Sequence, residues 1–456
     1  MAKSKLRAGA ATANITPPLG VTLDGTISQN GPATHIHDEL QARCLVLDDG
    51  DNQLAFVICD STMINRVIFD EAKQIVHDST SFPIDRILMA ATHTHSAPRV
   101  IGIGQNELDL FYLELMIHRL ADAIRCAMNN LAPAQIGWGS VNKPEHVFNR
   151  RWKMKPNTIP ANPFGGRGDR VRMNPRAGSS DLVEPAGPVD LEVFFLSIQH
   201  ADGRPLALLA NYGLHYVGGT GRGNISADYF GAFAERIQQR LRADRSDPSF
   251  VGIMSNGTSG DVNNTDFRKK RERKKPYVRI REVANGVADA VFEASRNITY
   301  RSDITLDGRT ESIELGVRTP KAIEVERAKV IMAQSGTKQR LTRPEVYARE
   351  TIAMQDWKAT RDTTVQAFRI GPVGVTAMPC EVFAETGLQI KKQSPLKPTF
   401  TIELANDYCG YLPTVAQHAL GGYETWRARS SFLEVEAEPK LRDKVLRLLQ
   451  QVSRSS

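Results

Sequence analysis

Apolar runs of strand length alternate with helically spaced apolar residues through the first part of the chain. Two apolar runs, at residues 40–47 and 54–59, flank an Asp-Asp-Gly-Asp-Asn turn and predict a β-hairpin. Residues 64–77 have helical spacing, and the apolar residues 87–91 that follow predict a buried strand. This alternation predicts an α/β fold, a layered domain with central mixed β-sheets flanked by α-helices.

The same patterns extend to the end of the chain. Residues 107–128 predict an amphipathic helix whose buried stripe comprises Leu110, Leu113, Ile117, Leu120 and Ile124. The other predicted strands lie at 134–141, 189–199, 206–212, 250–255, 304–315, 366–370, 373–378 and 400–404, and the other helices at 227–241, 278–294, 322–354 and 435–452. No repeat and no clear linker interrupts them, so we expect a single domain over residues 1–456.

A long segment at residues 142–187 has no strand or helix pattern. It is rich in Asn, Pro, Gly and Arg, and includes Arg150 and Arg151. Structureless loops of this length are uncommon inside a compact domain, so the segment is either disordered or functional. Because it also contains Trp152 and Phe164, which could pack, we favour a flap over a substrate.

Two histidines follow the predicted strand at residues 87–91. On an extended backbone the side chains at positions i and i+2 share a face, so His93 and His95 would point the same way. We interpret this pair as half of a zinc site, although a purely structural pair is the alternative. A second pair, His35 and His37, follows a turn-like stretch without a strand, which favours a structural role.

Other polar residues also stand at predicted strand ends. His215 follows the strand at 206–212, and Glu381 follows the strand at 373–378. The strand at 250–255 leads into the polar, glycine-rich residues 256–264, which suit the edge of an active site. That loop has no Lys-Ser/Thr ending, so it is not a phosphate-binding P-loop.

Composition excludes several classes of protein. The 456 residues are 41% hydrophobic, without an apolar run of membrane-spanning length or a visible signal peptide, so we expect a cytoplasmic protein without stable membrane insertion. Five scattered cysteines argue against disulfides and cysteine zinc sites. Much of the net charge of +7 lies in the basic run at 268–275, which lacks aromatics and predicts a solvated segment rather than a nucleic-acid site. The expected partner is a small-molecule substrate; the oligomeric state is not predicted.

Three motifs together resemble the neutral ceramidase family, specifically its N-terminal catalytic domain. They are Ala-Thr-Ala-Asn-Ile-Thr-Pro-Pro at residues 11–18, Thr-His-Thr-His-Ser at 92–96 and Met-Pro-x-Glu at 378–381, and the similarity extends to about Phe432. The resemblance implies one catalytic zinc ion with four ligands, which are His93, His215, Glu381 and Tyr411. It also implies active-site roles for His95, Arg150 and Tyr423.

One departure from the family changes the expected chemistry. In neutral ceramidases a nucleophilic serine follows a Gly-Asp-Val motif, whereas here Asn263 follows it. An amide cannot attack a carbonyl, but Asn263 could donate a hydrogen bond to an oxyanion. A zinc-bound water would then attack, with His95 or Asp261 as the proton acceptor. Ser259 and Thr258 are alternative nucleophiles.

A second departure is that the family's C-terminal immunoglobulin-like domain has no counterpart here, which makes ceramide a doubtful substrate. Guanidinium groups clamp carboxylates and phosphates, so Arg150 and Arg151 suggest a small polar substrate and suit an anionic one. The leading hypothesis is a zinc-dependent hydrolase that uses a metal-activated water on an amide, ester or lactone. The alternatives are a metal-dependent lyase or glycan-processing enzyme acting on an acidic sugar, and a catalytically inactive metal-bearing binding protein.

Overall fold

Two β-sheets stacked face to face form the centre of the structure. The structure is a computed structural model that describes residues 6–25, 31–102, 109–243, 247–336 and 340–454. The strands are, in chain order, β1 (Arg7–Asn14), β2 (His35–Ile36), β3 (Gln41–Asp48), β4 (Gln53–Cys59), β5 (Ile87–Ala91), β6 (Ala132–Asn142), β7 (Phe148–Asn149), β8 (Arg151–Met154), β9 (Val171–Met173), β10 (Leu182–Pro185), β11 (Glu192–His200), β12 (Pro205–Tyr212), β13 (Asn224–Ile225), β14 (Val251–Asn256), β15 (Val262–Asn263), β16 (Leu306–Gly316), β17 (Thr360–Ile370), β18 (Val373–Ala377), β19 (Glu381–Val382), β20 (Thr399–Ile402) and β21 (Tyr411–Leu412). The α-helices are α1 (Arg66–Thr80), α2 (Leu110–Asn129), α3 (Asp228–Arg240), α4 (Val278–Ser295), α5 (Ala322–Ser335), α6 (Arg343–Ala353), α7 (Ala384–Gln393), α8 (Val415–Leu420) and α9 (Ala437–Ser453).

Both large sheets are mixed. The larger has eight strands in the order β14-β12-β11-β6-β1-β3-β4-β5, and the smaller has four in the order β16-β17-β18-β20. The pairs β4/β5, β12/β14 and β18/β20 are parallel, and the other pairs of these sheets are antiparallel. The predicted hairpins β3/β4, β11/β12 and β17/β18 are confirmed.

Apolar side chains hold four layers together. Between the sheets, Phe56 lies edge-on to Phe368 at 5.6 Å, and Phe194 stacks on Phe400 at 4.9 Å between ring centroids. Helices α1 to α4 cover the outer face of the eight-stranded sheet, and α7 and α9 cover that of the four-stranded sheet. The predicted α/β fold, with central mixed sheets flanked by helices, is therefore confirmed.

Two helix predictions differ from the structure. The helical region predicted at 322–354 is divided between α5 and α6, because Thr342 and Glu345 form a capping box that begins α6. In α2 the predicted stripe is partly wrong, since Leu110 is 75% exposed. Tyr112 and Met116 are buried instead, and the Tyr112 hydroxyl donates a hydrogen bond to the Ile15 carbonyl at 2.7 Å. The predicted first residues of this helix, 107 and 108, lie outside the described residues.

The segment at 142–187 contains more regular structure than the predicted loop. Strands β8, β9 and β10 form a three-stranded sheet, and β7 pairs with β15. Trp152 is buried, and its indole Nε1 donates a hydrogen bond to the Asn149 carbonyl at 3.1 Å. The arginine-rich sequence hides this sheet because its strands are only three or four residues long.

The parallel strand pairs carry the candidate site residues at one end of the sheets. His93 follows β5, His215 follows β12, and Glu381 follows β18 within a few residues. The chain after β20 joins the two sheets here, because the Glu403 amide donates to the Asn256 carbonyl and the Asn406 amide donates to the Met89 carbonyl. Residues remote in the sequence therefore meet at the carboxyl ends of these strands. Within the described ranges, no helix is long and apolar enough to cross a membrane.

Candidate metal centre

His93 lies in a sharp turn rather than at the end of an extended strand. Strand β5 ends at Ala91, and His93 has a φ of 73°, in the left-handed region that a histidine rarely adopts. Its amide donates to the Ser61 carbonyl at 2.9 Å, and its Nδ1 lies 2.6 Å from the Thr62 carbonyl. The prediction that His93 and His95 share one face of an extended strand is therefore wrong, because the backbone at His93 is not extended. Their Nε2 atoms nevertheless lie 3.2 Å apart because the turn folds the chain back.

His215 is oriented by a serine and a buried carboxyl group. The Ser259 hydroxyl donates to Glu403 Oε1 at 2.5 Å, and His215 Nδ1 lies 3.3 Å from the same hydroxyl oxygen. Ser259 Oγ can therefore accept a hydrogen bond from the Nδ1–H group of His215. Sequence analysis did not identify Glu403, whose only signal is a carboxyl group next to a strand.

The ring nitrogens of the three histidines converge on one point. His93 Nε2 and His215 Nε2 lie 3.1 Å apart, and the Nδ1 atom of each of these two rings lies beside an oxygen that can accept its hydrogen. The two Nε2 atoms consequently present lone pairs to each other, an arrangement that a bound cation would stabilise. Among the described residues, His93, His95 and His215 form the group that could hold a metal ion.

Glu381 adds a carboxylate to this group. Its Oε2 lies 3.5 Å from His93 Nε2 and 3.6 Å from His215 Nε2, and it is buried without a hydrogen-bond partner in the described structure. The donors of a tetrahedral zinc ion, at bond lengths of about 2.1 Å, lie about 3.4 Å apart. The triangle formed by His93, His215 and Glu381 therefore fits three ligands of one metal ion.

Backbone contacts fix the position of Glu381. Strand β19 pairs with β21, so Glu381 lies directly beside Tyr411, and the Tyr408 hydroxyl donates to Glu381 Oε1 at 2.9 Å. Gly260 packs against this backbone so closely that a Cβ there would lie 2.4 Å from the Glu381 carbonyl oxygen. Burial alone would raise the pKa of Glu381, but His93, Arg150 and a hydrogen bond from Tyr411 lower it.

His95 is held between an aromatic ring and a glycine. Its ring stacks on Tyr216 with 3.7 Å between centroids. On the other side a Cβ at Gly25 would lie 2.5 Å from His95 Cβ, and Gly25 also has a φ of 101°. Burial, with His93 and Arg150 nearby, lowers the pKa of His95, so the imidazole is neutral at neutral pH. Neither Tyr216 nor Gly25 was identified from the sequence.

Arg150, Tyr411 and Tyr423 form the next side of the site. The Arg150 guanidinium lies 5.3 Å from the centre of the Tyr411 ring, and Tyr411 lies edge-on to Tyr423 at 5.8 Å. Burial would lower the pKa of Arg150, but Tyr411, Glu424 and Glu381 raise it well above its ordinary value. Arg150 therefore remains a cation next to the Tyr411 ring.

Comparison with known proteins identifies the family. Residues 6–271, more than half of the chain, match the family described as neutral/alkaline non-lysosomal ceramidase, N-terminal. The chain belongs to this family. The predicted relationship to the neutral ceramidases, a family of hydrolases, is thus confirmed.

Solved ceramidase structures share the fold. A crystal structure of neutral ceramidase from Pseudomonas aeruginosa aligns with a TM-score of 0.72 at 17% identity, covering 98% of this chain and 74% of that chain. A structure described as a ceramidase complexed with C2 aligns with a TM-score of 0.73 at 16% identity, covering 98% of this chain and 75% of that one. At these identities the likeness concerns the fold.

His93, His95, His215 and Glu381 are together called the metal cluster. Two other predicted site residues of this ceramidase-family chain lie outside it. The guanidinium of Arg151 is fully buried and donates to Glu424, Gln417 and the Gly421 carbonyl. Asn263, at the position of the family serine, donates to the Asn174 side chain at 3.0 Å and borders a separate cleft. We therefore assign neither a substrate-binding role to Arg151 nor an oxyanion role to Asn263.

Asp261 also points away from the metal cluster. Its Oδ1 accepts the Ala384 amide of α7 at 2.9 Å, and its Oδ2 accepts the Asn149 side chain at 2.7 Å. Burial raises the pKa of Asp261 to about 6, against contributions from Ala384 and Arg151 that lower it. This geometry is typical of a residue that holds α7 in place.

The raised pKa of Asp261 predicts a pH-dependent contribution to stability. Because the folded-state pKa exceeds the unfolded value of 3.8, the contribution is complete below about pH 4 and is lost as the pH rises through about 6. Relative to Asp261→Asn, wild-type unfolding free energy should fall by roughly 2 kcal/mol between about pH 4 and 7. Urea unfolding of both proteins across this range tests this. A difference that does not change with pH would contradict the prediction.

A pocket opens beside the metal cluster. Its free space, including the mouth, is about 630 Å³. The residues that line it come from the segments that connect the strands, from the β19/β21 pair and from α6. They are Asp24, Gly25, Met63, His93, His95, Tyr347, Arg349, Glu350, Glu381, Tyr408, Tyr411, Tyr423, Ala428 and Ser430. We refer to it as the central pocket.

Proposed function

We propose that this ceramidase-family protein is a zinc-dependent hydrolase that cleaves an amide, ester or lactone bond of a small polar substrate. The observation that carries this proposal is the convergence of His93 Nε2, His215 Nε2 and Glu381 Oε2, separated by 3.1 to 3.6 Å. Two neutral imidazoles and a carboxylate are a common ligand set of catalytic zinc.

Tyr411 is the proposed fourth ligand. It lies beside Glu381 in the β19/β21 pair, and Arg150 contacts it. Burial raises the pKa of Tyr411 well above its ordinary value, and Glu381 adds to the rise, while the positive charge of Arg150 offsets part of it. A bound cation would have to supply the remaining stabilisation that the phenolate form of a ligand needs. Zinc held by this set would supply a nucleophile at neutral pH by lowering the pKa of a bound water to about 7.

His95 and Tyr423 are the proposed catalytic residues beside the ligands. The neutral His95 imidazole is available to accept a proton at Nε2 from the attacking water. Burial raises the pKa of Tyr423, so its hydroxyl keeps its proton and can donate a hydrogen bond to an oxyanion. Arg150 is proposed to position Tyr411 and to stabilise negative charge on Tyr411 and Glu381.

The charged residues of the central pocket favour a substrate that carries a polar or charged group. Arg349 and Glu350 line the pocket together with four tyrosines and Met63, and most of the lining surface is apolar, so an apolar part of the substrate would also fit. The family name refers to ceramide, and ceramide is therefore the substrate to compare against smaller amides and esters.

A zinc-reconstitution experiment tests the proposal. Chelator-treated protein should hydrolyse nothing in a panel of small amides, esters and lactones, and stoichiometric zinc should restore hydrolysis. In labelled water, the carboxylate product should contain one labelled oxygen. An unsaturated product without label would favour a lyase acting on an acidic sugar. Stoichiometric zinc without turnover of any substrate would favour a metal-bearing binding protein.

A further inference from the structure

One arginine of the central pocket has a side-chain nitrogen without a hydrogen-bond partner among the described residues. Arg349 lies on α6 and lines the same pocket as His93 and Glu381. Its Nε is buried and has no hydrogen-bond partner among the described residues. A buried donor without a partner is costly, so such a group in a pocket is a site where a water or a ligand atom would be stabilised.

The nearest carboxylate pairs with one nitrogen of Arg349. Arg349 Nη2 donates to Glu350 Oε1 at 3.4 Å, which is a long hydrogen bond. Glu350 is held more closely by Arg429, whose Nε and Nη2 donate to its two carboxylate oxygens at 2.8 and 2.9 Å. Glu350 is thus shared between two guanidinium groups, and Arg349 Nε has no acceptor among the described residues.

The remaining pocket residues define what kind of anion fits. Four tyrosines and Met63 provide ring and thioether surface that suits an apolar spacer. Besides Glu381, two carboxylates line the pocket, Asp24 and Glu350, and Asp24 lies 3.9 Å from Arg99 Nε. Because these carboxylates share the pocket with the bound anion, a singly charged group is favoured over a doubly charged phosphate.

We propose that Arg349 binds a carboxylate at the end of the substrate that is remote from the scissile bond. This rests on the proposed function, because it places the reacting carbonyl at the metal cluster in the same pocket. Arg349 is then the residue that determines specificity for a carboxylate-bearing amide or ester. Arg150 and Arg151 are not among the residues that line the central pocket, and both pair with Glu424.

A matched pair of probes tests the proposal by binding. The probes are N-phenylsuccinamic acid and its neutral methyl ester, measured by calorimetry with zinc-loaded wild type, Arg349→Gln and the control Arg281→Gln, an exposed arginine on α4. Wild type and control should bind the acid at least about tenfold more tightly than the ester, and Arg349→Gln should lose this preference.

Two results would overturn the proposal. Equal affinities of wild type for acid and ester, including no binding of either at millimolar concentration, would remove the carboxylate site. A preference that persists in Arg349→Gln would place the carboxylate on the metal or on another cation. Hydrolysis of the anilide bond is measured separately, so that an intact acid preference without turnover counts against the hydrolase and not against the carboxylate site.

Discussion

His93→Ala and His215→Ala are each expected to abolish zinc binding at the proposed site and to lower kcat/KM by at least about a thousandfold. Loss of a residue that only orients a ligand typically costs 10- to 100-fold in affinity or activity, and loss of a ligand costs more. Both side chains are buried, and their Nε2 atoms lie 3.1 Å apart, so removal of one leaves an incomplete site. Metal analysis after dialysis, with kinetics on any substrate found in the panel, measures both effects.

The matched control is His118→Ala, which removes an exposed histidine on α2 and should leave zinc and activity unchanged. His95→Ala separates two roles, because a proton acceptor can be lost with zinc retained whereas a ligand cannot. Stoichiometric zinc in both His93→Ala and His215→Ala would refute the metal site. Zinc loss in all four variants would instead indicate a general loss of folding.

Glu424→Gln is expected to destabilise the protein by about 3–5 kcal/mol, which is the usual cost of breaking a buried ion pair. Glu424 is fully buried, with Oε1 accepting Arg150 Nε at 3.1 Å and Oε2 accepting Arg151 Nη1 at 2.6 Å. The glutamine amide would present N–H groups to one of these donors and remove the balancing charge. Urea unfolding at neutral pH measures the change in free energy.

Glu436→Gln serves as the control, because Glu436 is exposed and its substitution should change stability by less than about 0.5 kcal/mol. Activity should also fall in Glu424→Gln, since Arg150 would lose the partner that fixes it beside Tyr411. If Glu424→Gln is as stable as wild type, Arg150 and Arg151 have another source of compensation, and the substrate would again be a candidate for it.

Local patterns predicted most of the fold because each element carries its own signal. The hairpin of β3 and β4 follows from apolar runs around a turn, and α4 and α9 follow from apolar spacing. The signal fails where elements are short, as in β8 to β10, or where two helices adjoin, as in α5 and α6. In α2 the choice of buried face depends on the neighbouring strands, which periodicity alone does not reveal.

The candidate site was predicted as a set of residues but not as a geometry. The sequence placed His93, His95, His215 and Glu381 near strand ends, where they do converge. Backbone contacts and packing, rather than pattern, bring them together, as the left-handed turn at His93 illustrates. Tyr216, Tyr408 and Glu403 had no distinctive sequence signal, because their roles arise only from contacts with residues remote in the chain.

The sequence by itself determined the layered α/β class, the family relationship and which histidine and glutamate side chains are candidate metal ligands, since these depend on residue type and local spacing. Only the tertiary structure decided which charged groups pair with one another. An arginine-rich segment suggests an anion site, but the structure shows that Arg150 and Arg151 both pair with the buried carboxylate of Glu424 and that Arg150 also faces Tyr411. Arg349 is the opposite case. No sequence pattern identifies it, yet in the folded protein its buried Nε has no partner among the described residues and it lines the same pocket as His93 and Glu381. The physical reason is that the role of a charged side chain depends on which groups it contacts in the folded protein, and those groups lie far away along the chain.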